Sequence, residues 1–338
     1  MNSIRSFLAN EDALNIVLII VSLVLAFLMP FSLFLFSYAI LGPLHYLTEI
    51  NWLNEKKYFV RQSMWIWLFV IGAAIVSFPA FAHLPFFNLE SQSSLIRTIV
   101  YGITDYYDIL LVTLVLFAAS LVFLKKPWHL FVALPLSLII GKVIVQYVLG
   151  SFIVVGIFLP TIVHVYVFTL LFMLYGALSS RKREAFIGTA LLLISPVIIL
   201  LVSINPDFYG LTETEQAVGT VQNFRFVNFI AELFDSTENG RIVAFSSIGL
   251  KIQTFIAFCY TYHYLNWFSK TTTIGWRKNL STRRSIAILA AWAGSIGLFL
   301  YDYEIAYLAL FFLAILHIVL EFPLNVVSMR GIVQKLFS

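Results

Sequence analysis

Long apolar runs alternate with short charged segments along the whole chain. The runs are continuous and close to twenty residues, the length of a helix that crosses a bilayer. Strands of a membrane barrel would instead alternate apolar and polar residues over about ten positions. We therefore predict an all-α, polytopic transmembrane helical bundle of about ten spans. The predicted spans are 13–29, 32–51, 63–82, 106–124, 130–148, 152–178, 186–204, 246–268, 284–301 and 305–327.

Composition supports one integral membrane domain over residues 1–338. The chain is 61% hydrophobic and 11% charged, with a mean hydropathy of +0.93, whereas a soluble domain carries about 25% charged residues. The net charge of +4 is spread over short loops, so we expect no nucleic-acid partner. Membrane lipids are the expected surroundings, and the sequence does not identify a protein partner.

Loop charges predict the orientation. Basic residues follow the even-numbered spans, as in "RKR" at 181–183, and acidic residues dominate the alternate loops. By the positive-inside rule both termini are cytoplasmic, and we expect a multi-pass protein of a bacterial-type inner membrane. The external loop 205–245 has apolar residues at 221, 224, 227, 230, 233 and 234. This spacing predicts an amphipathic helix at the interface, with a lid over a substrate entrance as the alternative.

Titratable residues inside the predicted spans are the main chemical signal. "LGPLHYLTE" closes the second span with His45 and Glu49, and "AILHIVLEF" in the tenth carries His317 and Glu321. Both pairs are four residues apart, so each lies on one helical face. Two further histidines within predicted spans are His164 in the sixth and His263 in the eighth. By residue count His45, His263 and His317 lie in the cytoplasmic half of the bilayer, and His164 lies about one or two turns deeper. By contrast, His83 and His129 lie at predicted span ends, where interfacial residues belong.

Such residues are expensive in a membrane and mark functional sites. Neutral imidazole is a common ligand of iron, zinc and copper, so His45, His164, His263 and His317 are candidate metal ligands. Glu49 and Glu321 are candidate catalytic acids, either as hydrogen-bond acceptors for the ligand rings or as ligands. Structural hydrogen bonding and a proton or ion pathway remain alternatives. Aromatic residues near these positions are candidate walls of a substrate pocket: Tyr46, Trp52, Tyr260, Tyr262, Tyr264 and Trp267.

Four short motifs resemble the Brp/Blh family of membrane carotenoid cleavage enzymes. "GPLHYLTE" is similar to the early Gly-Leu-Pro-His motif with an acid four residues on, although Pro43 is displaced by one residue and the acid is Glu49. "IVHVYVF" resembles the second motif without its acid. "FCYTYHYLNWF" resembles the aromatic late motif with one histidine instead of two, and "AILHIVLEF" resembles the last histidine-plus-acid segment.

The resemblance implies an all-helical oxygenase. It implies non-haem iron bound by the four histidines and cleavage by O₂ of a polyene such as β-carotene, giving retinal-like products. Zinc and haem b are alternative cofactors. A haem b or metal-binding electron carrier and a proton-coupled transporter with a His/Glu relay are alternative functions.

Overall fold

The computed structural model describes residues 10–56, 63–84, 93–149, 162–205, 247–270 and 280–337, with the single residues 86, 89, 208, 209 and 275. This part of the chain is helical and contains no strand, which confirms the predicted all-α fold. The helices are α1 (Glu11–Leu28), α2 (Pro30–Phe36), α3 (Gly42–Lys56), α4 (Ser63–Ala82), α5 (Ser94–Phe123), α6 (Pro127–Ile144), α7 (Thr169–Ser180), α8 (Arg183–Leu201), α9 (Ser247–Ser269), α10 (Thr282–Tyr301) and α11 (Tyr303–Leu336). Three π-helical segments interrupt this series at Ser37–Leu41, Val145–Leu149 and residues 162–168.

Nine segments among the described residues are long and apolar enough to cross a membrane. They match nine of the ten predicted spans, and the tenth, 246–268, is helix α9. At 23 residues α9 is about 34 Å long, but it is not among the nine. Its polar residues include Gln253, Thr254, Thr261 and His263, and all four are buried.

Two predicted boundaries differ from the structure. Helix α5 begins at Ser94 instead of 106, because Ser93 accepts a hydrogen bond from the backbone N–H of Ile96 and caps an earlier turn. Helix α11 continues past 327 to Leu336. The predicted interfacial helix in 205–245 lies outside the described residues, apart from 205, 208 and 209.

The chain divides into two compact units. The first comprises the residues up to His45, Val165–Arg277 and Gly331–Ser338. In it α9 packs against α1, α2 and the π-helical segment Ser37–Leu41, and α8 packs against α7 and α1. The Oγ atoms of Ser37 and Thr261 lie 2.7 Å apart and tie the π-helical segment to α9.

The second unit comprises Tyr46–His164 and Lys278–Arg330. Its core is made by α4, α5, α6 and α11, and α5 packs against both α4 and α6. Phe69 and Phe117 are fully buried there, and Ile315 and Val319 of α11 belong to the same cluster. This packing fixes one face of α11 and thereby the direction of the opposite face, which carries His317.

Candidate metal centre

The six described histidines fall into two groups. His45, His164, His263 and His317 are at most 7% exposed. His83 is exposed, with Nδ1 2.6 Å from the Pro79 carbonyl oxygen, and His129 is partly buried beside Trp128 at the start of α6. The structure therefore separates the same four histidines that the sequence singled out.

His45 and His263 form a pair in the first unit. Their Nε2 atoms lie 3.2 Å apart, with ring centroids at 4.8 Å and an interplanar angle of 75°. His45 lies in the first turn of α3, directly after the π-helical segment, while His263 belongs to the regular helix α9. A π-helical turn shifts the register of a helix by one residue and is frequent at functional sites.

The hydrogen bonds around His263 determine which ring nitrogen carries its proton. Thr169 Oγ1 lies 2.8 Å from His263 Nδ1 and 2.7 Å from the carbonyl oxygen of Val165. A carbonyl only accepts, so the single hydroxyl proton of Thr169 goes to Val165. Nδ1 of His263 therefore donates to Thr169. Nε2 of His263 then carries a lone pair, which is the tautomer that a metal ion requires.

His164 and His317 form a matching pair in the second unit. Their Nε2 atoms lie 3.0 Å apart, with centroids at 4.9 Å and the same interplanar angle of 75°. His164 lies within the π-helical segment 162–168 and His317 on the regular helix α11. Glu321 Oε2 is 3.3 Å from His164 Nδ1. This is a close contact without the alignment of a strong hydrogen bond, and it joins the carboxylate to a ring from another helix.

The Nδ1 atom of each ring in this second pair lies next to an oxygen atom. His317 Nδ1 lies 3.3 Å from the carbonyl oxygen of Leu313, which only accepts, so Nε2 of His317 carries a lone pair. An ionised Glu321 could only accept from His164 Nδ1, although their contact lacks hydrogen-bond geometry. In that protonation state both Nε2 atoms carry lone pairs, which face each other across 3.0 Å. A cation between them, or one added proton, removes the repulsion.

The ring positions fit shared ligation. Two imidazole nitrogens bound to one ion at about 2.05 Å, and separated by 90–110°, lie about 2.9–3.4 Å apart. Both pairs fall in this interval. Linear N–H···N bonds of the same lengths would separate the ring centroids by about 5.5 Å in the first pair and about 5.3 Å in the second, but the observed separations are 4.8 and 4.9 Å. In each pair the rings are therefore bent towards a point beside the N···N line.

Three of the four histidines form a buried group that can hold a metal ion. His45, His263 and His317 each offer one ring nitrogen, and these nitrogens lie within 4.8 Å of one another. His164 is not a member of this group, although its Nε2 lies next to His317.

The two candidate catalytic acids are both buried. Glu49 is 2% exposed and Glu321 3% exposed. The two carboxyl groups lie close enough to interact electrostatically within the second unit. Glu49 follows His45 by one turn of α3, and Glu321 contacts His164 as described above.

The predicted pocket residues occupy different positions. Tyr46 stacks on His317 with centroids 4.2 Å apart, and Tyr264 and Trp267 contact His45 at 5.2 and 5.6 Å. Tyr260 contacts Tyr264. The remaining two are Trp52, which is 5% exposed on α3, and Tyr262, whose Oη lies by Asn15 and Met173.

Sequence reasoning missed the groups that fix the ring tautomers. A threonine in an apolar helix, such as Thr169, is a common packing residue, and the Leu313 carbonyl has no side-chain signature at all. The only sequence signal is indirect, because a ligating histidine usually passes its second N–H to an oxygen.

Comparison with known proteins adds no relative. Scans against protein-family models, curated proteins and solved structures found no match.

Proposed function

We propose that this protein is a membrane metalloenzyme in which His45, His263 and His317 hold one metal ion, with His164 as a fourth ligand. The observation that carries the proposal is the second histidine pair. Its two Nε2 atoms face each other at 3.0 Å, while the Leu313 carbonyl oxygen lies 3.3 Å from His317 Nδ1 and Glu321 Oε2 lies 3.3 Å from His164 Nδ1. Neutral nitrogens in this arrangement are the donor set that iron, zinc and copper accept.

Non-haem iron is the metal we propose. A haem iron bound by two histidines holds them on opposite faces, about 4 Å apart with the macrocycle between them, and both pairs are closer than that. Zinc centres most often activate water for hydrolysis, but this site is buried among apolar and aromatic side chains. Iron with several imidazole ligands and an open coordination position supplies O₂ chemistry, which suits such surroundings.

We propose an oxygenase that acts on a lipid-soluble substrate. A substrate that reaches a site buried in transmembrane helices comes from the bilayer, and Tyr46, Tyr264 and Trp267 supply flat apolar surfaces beside the histidine rings. A carotenoid that is cleaved to retinal-like products fits this description, in line with the resemblance of the four histidine motifs. Glu321 lies beside the His164 ring, and Glu49 contributes a second buried carboxyl group that interacts with Glu321 electrostatically.

Elemental analysis and an absorption spectrum of detergent-purified protein test the cofactor. The expected result is about one iron per chain without a Soret band, and iron is lost on His317→Ala. A Soret band would identify a haem carrier. Metal-free protein that catalyses pH-dependent uptake of a solute into vesicles would favour the alternative function of a proton-coupled transporter.

Expression in a carotene-accumulating host tests the substrate class. We expect the colour to bleach and retinal to form with the wild type but not with His317→Ala. Unchanged colour with iron-loaded protein would exclude β-carotene as the substrate, but it would not contradict the proposed metal site.

A further inference from the structure

Helix α11 has two faces of opposite character. One face carries Ile315, Leu316 and Val319 into the core of the second unit. The opposite face carries a stripe of polar residues at intervals of four, four and three positions: His317, Glu321, Asn325 and Ser328. Each of them is at most 3% exposed. Buried polar residues in a membrane helix mark paths or sites for polar ligands, and the proposed metal centre accounts for only the first two.

Asn325 is the unexplained member of the stripe. It is 1% exposed, and neither Nδ2 nor Oδ1 has a hydrogen-bond partner among the residues that the structure describes. Leaving a buried polar group unpaired is unfavourable, since its desolvation is not compensated. In an apolar phase a leucine of similar volume would be the more stable choice.

Asn15 shows how this chain treats a buried asparagine that serves structure. It is also 1% exposed. Its Nδ2 donates to the carbonyl oxygen of Glu11 at 2.7 Å, and its Oδ1 accepts from Tyr262 Oη at 3.1 Å and Ser269 Oγ at 3.3 Å. The two asparagines have equal burial and opposite pairing, so burial alone does not explain Asn325.

We propose that Asn325 binds the hydroxyl group of a lipid alcohol. A side-chain amide has a hydrogen-bond donor and an acceptor next to each other, and a hydroxyl is a small neutral group that can both accept from and donate to it. The neighbouring residues Leu324 and Val326 are apolar and suit a hydrocarbon tail. The position on the same face as His317 directs this tail along the helix towards the histidines.

The spacing between Asn325 and His317 on α11 predicts which bond of a substrate reaches the metal centre. This prediction rests on the proposed function. Asn325 lies eight residues beyond His317, about 12 Å along the helix axis, or the length of about ten carbon atoms in an extended chain. Asn325 is then a specificity-determining residue, which favours hydroxylated lipids over hydrocarbons such as β-carotene. The bond that reacts lies about ten carbons from the hydroxyl group.

Thermal unfolding of the full-length protein in detergent tests the anchor. Farnesol is the probe, and farnesene, the related hydrocarbon without a hydroxyl group, is its control. We expect farnesol to raise the Tm of the wild type by several degrees more than farnesene. We expect Asn325→Leu to remove this difference between farnesol and farnesene. Without ligand, the Tm of this variant should equal or exceed that of the wild type. Asn15→Leu lowers Tm but keeps the preference for farnesol. Iron content is measured on the same samples. Wild-type protein that contains no iron but still prefers farnesol to farnesene would refute the metal centre and leave the Asn325 proposal intact.

Two results would overturn the proposal. Equal stabilisation of the wild type by farnesol and farnesene means that no alcohol is recognised and that the amide meets only water. If Asn325→Leu and Asn325→Ala both lower Tm as much as Asn15→Leu does, the amide is paired within the protein and serves the fold.

Discussion

The two histidine pairs have the same shape but different electrostatics. Both have rings at 75° and centroids within 0.1 Å of the same separation, 4.8 and 4.9 Å. In the first unit a neutral hydroxyl, Thr169 Oγ1, takes the outer proton of His263. In the second unit the backbone carbonyl of Leu313 accepts from His317 Nδ1, and the carboxyl group of Glu321 lies 3.3 Å from His164 Nδ1.

This difference assigns different roles to the pairs. The first pair is satisfied without a metal, because His45 Nε2–H can donate to the lone pair of His263 Nε2. The second pair has two opposed lone pairs whenever Glu321 is ionised. The first pair is thus stable with or without an ion, while the second pair, when Glu321 is ionised, depends on a cation.

Removing single histidines is expected to have the largest effect on metal binding, and it tests the comparison of the two pairs directly. We expect alanine at 45, 263 or 317 to abolish stoichiometric metal binding, since each removes one nitrogen of the three-histidine group. His164→Ala keeps the ion with about 10–100-fold lower affinity. Metal content of purified variants is the measurement, and exposed His83→Ala is the control. Equal loss in all four variants would show that His164 is a ligand of the same rank as the other three.

Removing the metal tests the dependence of the second pair. An ion present at 100 times its Kd stabilises the fold by about 2.7 kcal/mol, so a chelator lowers Tm and added iron restores it. In His317→Phe the opposed lone pairs are gone, and we expect the chelator to leave Tm unchanged. A chelator shift of the same size in both proteins would contradict the assignment.

Glu321→Gln tests the carboxylate that orients His164. We expect metal affinity to fall about 10–100-fold, because the neutral amide holds the Nδ1 proton less firmly than a carboxylate does. Titration of apo-protein with metal measures the change. Glu304→Gln is the matched control, since Glu304 lies at the exposed start of the same helix. An unchanged affinity in Glu321→Gln would remove the electrostatic distinction between the pairs.

Thr169→Val probes the corresponding group of the first pair. The valine keeps the shape of the side chain and removes the acceptor for His263 Nδ1–H. We expect a loss in metal affinity of about tenfold or less, since a neutral acceptor contributes less than a charged one. Thr189→Val is the control, because among the described residues its hydroxyl bonds only to the carbonyl of Ala185. A larger effect than that of Glu321→Gln would reverse the proposed order.

Asp12→Asn has the smallest expected effect. Asp12 lies 3.6 Å from the Nζ atoms of both Lys182 and Lys270 at the edge of the first unit. These groups are partly exposed, so we expect a loss below about 1 kcal/mol in the free energy of unfolding. The loss disappears at high salt, and metal content stays unchanged. A change in metal content would mean that this edge is coupled to the histidine pair.

The sequence by itself determined the fold class and the identity of the candidate ligands. Apolar runs near twenty residues leave helices as the only spanning structure whose backbone groups are all paired, and nine of the ten predicted spans satisfy the length and hydropathy of a membrane helix. Histidine and glutamate in such runs are rare because burying them is expensive, so His45, His164, His263 and His317 stood out by type and position.

Only the tertiary structure decided which histidines meet and which oxygen holds each ring. Spacing along one helix suggested Glu321 beside His317, yet Glu321 contacts His164, because packing of α11 against the core sets where its side chains point. Thr169 and the Leu313 carbonyl act only through their neighbours in space. The sequence likewise could not show that, within the described part of the chain, the side chain of Asn15 is hydrogen-bonded and that of Asn325 is not, since hydrogen bonding depends on the distance and direction between atoms from different helices.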